Sequence, residues 1–243
     1  MSQTAAFFDV DDTLLAGNSG TLYTRYMFES GKIRRRDLYQ AAYAILLHRM
    51  NRLDALSVAR RFLAFAVGYS LEQMREECAR WFEEMIVPRI SADGVRAIEA
   101  HRAAGHRLIL CSASTQFLCE PLQAHLSLDG SLCNQLLHEN GLLTGEVAEP
   151  FCYGPGKRVW LERYAAEAGI DLVRSYFYSD SASDLPALEA VGHPVAINAD
   201  RALLREARAR GWALRRWGGA AQAAARQAPT TFSPVRVSAP DAT

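Results

Sequence analysis

The chain of 243 residues is long enough for one domain of ordinary size plus a smaller one, and with 49% apolar residues it can bury a core. Lysine plus arginine and aspartate plus glutamate both total 27, so no global field favours nucleic acid or an anionic membrane; small neutral or anionic molecules are the expected partners. Five cysteines without CxxC spacing argue against a disulfide framework and a structural zinc site, and no signal-like start or run of about 18 apolar residues is present, so a soluble cytoplasmic protein with reduced thiols is expected.

Residues 5–10, AAFFDV, form the first apolar run and read as a buried strand. Asp9, Asp11 and Asp12 then place three carboxylates within four residues. In an extended segment residues two apart share a side, so Asp9 and Asp11 face one site while Val10 faces away. Such crowding suits a hard cation: Mg2+ is typically held by one or two carboxylates together with phosphate and water. Taken alone, the stretch also reads as a solvated acidic turn.

Residues 18–88 contain no convincing strand. Helical segments are expected near 21–30, 36–49, 53–66 and 71–86, separated by Gly31, Asn51 and Gly68 and followed by Pro88. In the last segment Leu71, Met74, Cys78, Trp81, Phe82 and Met85 recur at helical spacing and form one apolar face, read as bundle core rather than a cofactor box. Tyr23, Tyr26, Tyr39 and Tyr43 read as bundle core too, with a ring-accepting pocket as the alternative. Lys32-Ile33-Arg34-Arg35-Arg36 reads as a solvated helix entrance, because no aromatic interleaves the arginines.

A helix is expected over 92–104, followed by a second strand over 107–113. Beyond it, Ser112 and Ser114 offer hydroxyl and N–H donors at a strand-to-helix junction, a place that favours anions. Asn140-Gly141 lies between apolar runs and reads as the turn of a hairpin over 138–147 that extends the sheet edge. Lys157 opens a helix over 156–168 after two glycines that let the backbone bend close to a ligand; a lysine there neutralises a phosphate and nearby carboxylates. The third strand, 175–180, ends at Asp180, with Asp184 four residues on at the start of a helix over 184–191. One of these acids can complete a metal shell while the other orients water or a lysine. A strand over 194–198 and a helix over 200–210 follow, and after Trp217 the composition turns to small and polar residues, expected as a flexible tail without chemistry.

Strands alternating with helices give an α/β class: a Rossmann-like parallel sheet with helices on both faces and an all-helical cap inserted after the first strand. The expected division is a core of 1–17 and 89–217, a cap of 18–88 and a tail of 218–243. All three polar clusters, DVDDT, CSAST and SDSASD, fall at the carboxyl ends of strands, where ligands bind in such sheets.

This combination resembles the haloacid dehalogenase superfamily, in particular the phosphoserine-phosphatase-like branch with a helical cap between its first and second motifs. Asp9-Val10-Asp11-Asp12-Thr13 corresponds to the first motif, Ser112 to the second, Lys157 to the third, and Asp180 with Asp184 to the fourth; the match runs from Phe7 to about Trp217. The resemblance implies a Mg2+-dependent phosphatase in which Asp9 is the nucleophile and Asp11 the acid and base. It implies metal ligands at Asp9, Asp180 and the backbone carbonyl of Asp11, and phosphate-binding groups at Asp12, Ser112, Ala113, Lys157 and Ser183. Asp184 and Thr13 take supporting roles. The implied partner is a small phosphomonoester, with no nucleic acid and no membrane insertion, and the sequence carries no signal for oligomeric state.

Asn18 stands where phosphoserine phosphatases place a glutamate that reads the substrate ammonium, and no acid lies between Asp12 and Glu29. Histidinol phosphate and lipid-derived phosphates therefore stand beside phosphoserine as candidate substrates. Arg60 or Arg61 is the candidate grip for a substrate carboxylate. The alternative functions are a non-catalytic phosphometabolite-binding regulator and a phosphotransferase using the same aspartate.

Overall fold

A computed structural model of the protein describes residues 2–36, 57, 63 and 66–218. The expected helices over 36–49 and 53–66 fall largely outside these residues, as do Tyr39, Tyr43, Arg60, Arg61 and the tail from residue 219.

In chain order, β1 is Ala5–Phe8 and α1 Ser19–Glu29. Next come α2, Leu71–Trp81, and α3, Ala92–Ala103. They are followed by β2, Arg107–Thr115, α4, Gln116–His125, and β3, Gly130–Asn134. Two strands then form a hairpin, β4, Leu136–Glu139, and β5, Leu142–Val147. The chain continues with α5, Pro155–Ala168, β6, Tyr176–Ser179, α6, Leu185–Leu188, and β7, His193–Ile197. It closes with α7, Arg201–Arg210, and β8, Ala213–Arg215.

Six strands form a parallel sheet in the order β3-β2-β1-β6-β7-β8. Alternation along each strand divides its side chains between two cores. Ala6, Phe8, Leu108 and Leu110 pack with Met74, Trp81, Ile98 and Phe117 of α2, α3 and α4. Ala5, Phe7, Ile109, Cys111 and Phe177 pack with Leu161, Leu188 and Leu203 of α5, α6 and α7. Helices thus lie on both faces, as the strand and helix alternation requires. Near the far edge, β6, β7 and β8 line an open groove of about 860 Å³ with Tyr176, Tyr178, Val195, Arg215 and Trp217; none of the site carboxylates lines it.

The apolar stripe read on the fourth insert segment is the buried face of α2 and its continuation: Met74, Cys78, Trp81 and Phe82 lie in the core, with Leu71 and Met85 packed against it. Tyr23 and Tyr26 also pack against this core. Ser70 caps α2, accepting from Gln73 N at 3.0 Å while its own N–H donates to the Gln73 side chain. All five cysteines are free and buried. Among the described residues no helix is long and apolar enough to cross a membrane.

The hairpin departs from expectation. Its turn forms as read, with Asn140 and Gly141 both at positive φ (50° and 78°). It does not extend the six-stranded sheet, however. Only Gln135 separates β3 from β4, too little chain for the crossover that a further parallel strand needs. The hairpin instead bonds the turn before α2: Gly68 N donates to Leu143 O, Leu143 N to Tyr69 O and Leu71 N to Gly141 O, each at 2.9 Å. These contacts satisfy backbone groups that an unpaired edge would leave open.

Candidate active site

The order of the sheet reverses at β1, which lies between β2 and β6. Whatever follows Phe8 therefore emerges at the crevice where such sheets bind ligands. Asp9 follows it, extended (φ −69°, ψ 162°) and only 6% exposed. The extended segment ends there rather than running through Asp11: Val10–Leu14 form a wide turn, in which Asp12 sits at φ 52°. Aspartate tolerates that left-handed region better than most residues. Val10 is fully buried, in the core that also holds Ala6 and Phe8.

Lys157 arrives from α5. Gly154 takes φ 54°, ψ −123°, and a Cβ at Gly156 would sit 1.9 Å from the Phe151 carbonyl oxygen. Both glycines thus serve the chain's own sharp entry to the helix. The first turn then buries Lys157 to 3% exposure. Its Nζ donates to Asp9 Oδ1 at 2.5 Å and to Asp184 Oδ2 at 2.7 Å, and Ser179 Oγ donates to Asp184 Oδ2 at 2.8 Å. Asp184 Oδ1 is buried with no hydrogen-bond partner among the described residues.

Asp11 points its two oxygens at the start of α1. Oδ1 accepts from Ser19 N at 2.8 Å and Oδ2 from Asn18 Nδ2 at 2.9 Å. A carboxylate there also complements the positive end of the helix dipole.

The electrostatics show crowding that one lysine does not relieve. Burial pushes the Asp9 carboxyl up to about 7; Lys157 opposes this, while Asp184 and Asp11 add repulsion. Asp180 rises to about 8 through burial and the charges of Asp9, Asp12 and Asp184. Burial also raises Asp11, against the Ser19 hydrogen bond. Lys157 is desolvated, yet Asp9 and Asp184 hold it well above the ordinary lysine range.

Several of the remaining expected residues have partners of their own. Ser112 is buried at the end of β2 and its Oγ accepts from Ser114 N at 3.1 Å; Ser114 Oγ lies 2.8 Å from Ser19 Oγ. The Ala113 carbonyl accepts from Asn134 Nδ2 at 2.6 Å, and Asn134 Oδ1 accepts from Cys152 N at 2.7 Å. Ser183 is engaged by Ser181, their hydroxyls 3.0 Å apart. Thr13 is fully buried, and its hydroxyl has no partner among the described residues.

Ser179, Ser19 and Asn134 were not singled out by sequence. Ser179 was detectable as a hydroxyl beside Asp180 at a strand end, whereas Asn134 closes a five-residue strand that shows no long apolar run. Among the described residues no three His, Cys, Asp or Glu side chains form a metal cluster by themselves. A hard cation needs only one or two protein carboxylates, with further oxygens from backbone, water or ligand.

Residues 6–189 match the family model described as haloacid dehalogenase-like hydrolase. A Streptomyces azureus protein named inhibition of morphological differentiation protein is 38% identical over 216 residues, covering 87% of this chain and 78% of its own. A phosphoserine phosphatase of Mycobacterium tuberculosis is 33% identical over 234 residues, covering 94% of this chain and 76% of its own. The solved structure of a Bordetella pertussis protein of unknown function aligns at TM-score 0.81 and 26% identity, over 88% of this chain and 98% of that one.

Proposed function

The chain belongs to the haloacid dehalogenase-like hydrolase family, and from that premise we propose that it is a Mg2+-dependent hydrolase of small phosphomonoesters, working through an aspartyl-phosphate. The observation that carries this reading is the buried Lys157 ammonium bridging Asp9 and Asp184 at 2.5 and 2.7 Å. Relatives matched over about three quarters of their own length, one named a phosphoserine phosphatase, support it.

Lys157 holds Asp9 Oδ1 and so presents the other oxygen to phosphorus. Asp9 attacks, the ester oxygen leaves, and one hard displacement becomes two easier ones. Asp11 donates a proton to the departing alkoxide, then removes one from the water that opens the aspartyl-phosphate; such help is worth about 10²- to 10⁴-fold. Lys157, the Ser112 hydroxyl and the Ala113 N–H bind the phosphoryl oxygens beside Asp12, whose own N–H donates to Gly17 O at 3.2 Å, with Ser183, Thr13 and Asp184 in support. Mg2+, when bound, supplies charge neutralisation at those oxygens. Asp9, Asp180 and the Asp11 carbonyl would hold it. The fit rests on hard oxygen donors, on the burial and the neighbouring charges that raise Asp9 and Asp180, and on Asp184 Oδ1, a buried acceptor with no partner among the described residues and open to a water. In this reading the insert of residues 18–88 serves as the cap.

Phosphoserine and histidinol phosphate are the first substrates to test. Asn18 is neutral and bonded on both sides, so a substrate ammonium is not read there. The test is phosphate release, with and without Mg2+, from those two esters, sugar phosphates and lysophosphatidate, using Asp9→Asn as control. Release that requires both Mg2+ and Asp9 is expected. Silence across the panel from folded, Mg2+-binding protein would favour a binding regulator, and transfer to an added sugar would favour a phosphotransferase.

A further inference from the structure

We infer that Asn18 is a positioning residue for the proton-transferring carboxyl of Asp11. The inference rests on the phosphatase reading above. Asn18 is the N-cap of α1, and its Oδ1 accepts from Thr21 N at 2.9 Å and Thr21 Oγ1 at 3.1 Å. That fixes which end of the amide faces the helix. The opposite end, Nδ2, donates to Asp11 Oδ2 at 2.9 Å. A flipped amide would set oxygen against carboxylate oxygen and N–H against N–H, so the orientation is decided from both sides.

Helix capping alone does not call for this residue. Serine, aspartate and asparagine cap about equally well. Asparagine accepts from the helix through one atom and donates to Asp11 through another. Serine would have to do both through a single oxygen held at the helix, on a side chain one bond shorter, and aspartate presents a like charge to Asp11. The helix start is anchored as well, because Ser19 is 3% exposed and its Oγ lies 2.8 Å from Ser114 Oγ at the end of β2.

The geometry suits proton transfer. Asn18 Nδ2 and Ser19 N each take one lone pair of a different Asp11 oxygen, which fixes the carboxyl plane and leaves each oxygen one lone pair for a proton. As Asp9 forms its bond to phosphorus and the bond to the alkyl oxygen breaks, the proton on Asp11 passes to that oxygen. The resulting carboxylate is already held by two N–H donors.

The test compares wild type, Asn18→Ser and Asn18→Asp, all with Mg2+, on an alkyl phosphomonoester and on p-nitrophenyl phosphate. An alkoxide needs a proton to leave, whereas p-nitrophenolate does not. Because kcat/KM covers steps through release of the alcohol, it separates the two esters. For Asn18→Ser the alkyl kcat/KM is expected to fall about 10- to 100-fold and the aryl value by less than about 3-fold, with thermal stability kept because serine still caps. Asn18→Asp is expected to lower the alkyl value further. Equal losses on both esters, or no loss on either, would overturn the inference. A wild type that releases phosphate from neither would overturn the phosphatase reading instead, and the inference with it.

Discussion

Two lysine–carboxylate contacts lie in different parts of the molecule and are built differently. In the helical insert Lys32 pairs with Glu77, one charge for one, and Tyr23 adds its hydroxyl to Glu77 at 3.2 Å. In the crevice Lys157 serves two carboxylates, Asp9 and Asp184, with Asp180 raised beside them. A one-to-one pair is complete as a piece of structure. The crevice, by contrast, concentrates more negative charge than its lysine neutralises, a costly arrangement unless a further cation joins it. This difference separates a fold-stabilising contact from a site for chemistry, and it can be broken at either end.

The largest effect is expected at the crevice. Lys157→Met would leave Asp9 and Asp184 buried without their cation, lowering phosphate release by about 10²- to 10³-fold. It would also cost about 3–5 kcal/mol in denaturant unfolding at pH 8, since the lysine side chain is only 4% exposed. Retained activity in this variant would make Lys157 a structural lysine like Lys32.

Next in size is the response to Mg2+ and pH. Asp9 and Asp180 bind protons more tightly folded, at about 7 and 8, than at their ordinary 3.8. The folded state therefore holds more protons across that window, and metal-free stability falls as pH rises through it. His101, depressed to about 4 by burial and His106, acts oppositely below its ordinary 6.5. Above pH 6.5 the opposing contribution of His101 and His106, both lowered, fades, and between pH 7 and 8 the carboxylates dominate, so the metal-free melting temperature is expected to fall there. Mg2+ held at one concentration, about 100 times its Kd at pH 8, should restore about 2.7 kcal/mol there, with a smaller gain toward pH 6.5. A gain independent of pH, or one unchanged in Asp180→Asn, would contradict the assignment.

The smallest effect belongs to the insert. Glu77→Gln is expected to cost about 1–2 kcal/mol, less than a fully buried pair, because Lys32 keeps 33% of its side chain exposed. Its kcat/KM should stay within about 3-fold of wild type. A large loss of turnover with unchanged stability would show that the insert pair belongs to the chemistry.

The crevice was more legible in the sequence than the elements around it. Asp9, Asp180 and Lys157 each follow an apolar run or a glycine turn, and that local pattern places them at strand ends or a helix start whatever the rest of the fold does. Partners set by tertiary approach left less trace. Asn134 reaches Ala113 and Cys152 only because β3 lies beside β2, and β3 is five residues opening on glycine. The three-residue β8 was likewise too short to show a period. The hairpin's turn was readable from Asn140-Gly141, but its partner was not: the backbone of residues 68–71 offers hydrogen bonds that no side-chain pattern announces. Asn18 shows the same limit, being conspicuous for its missing charge while its bond to Asp11 depended on how α1 meets the turn after β1.

The most direct measurement is to quench a reaction with Mg2+ and a turned-over phosphomonoester in acid and locate the phosphoryl group by peptide mass spectrometry. The account predicts one phosphoryl group on Asp9 in the wild type and none in Asp9→Asn, together with loss of phosphate release. Undiminished release by Asp9→Asn, or a phosphoryl group on any other residue, would contradict it.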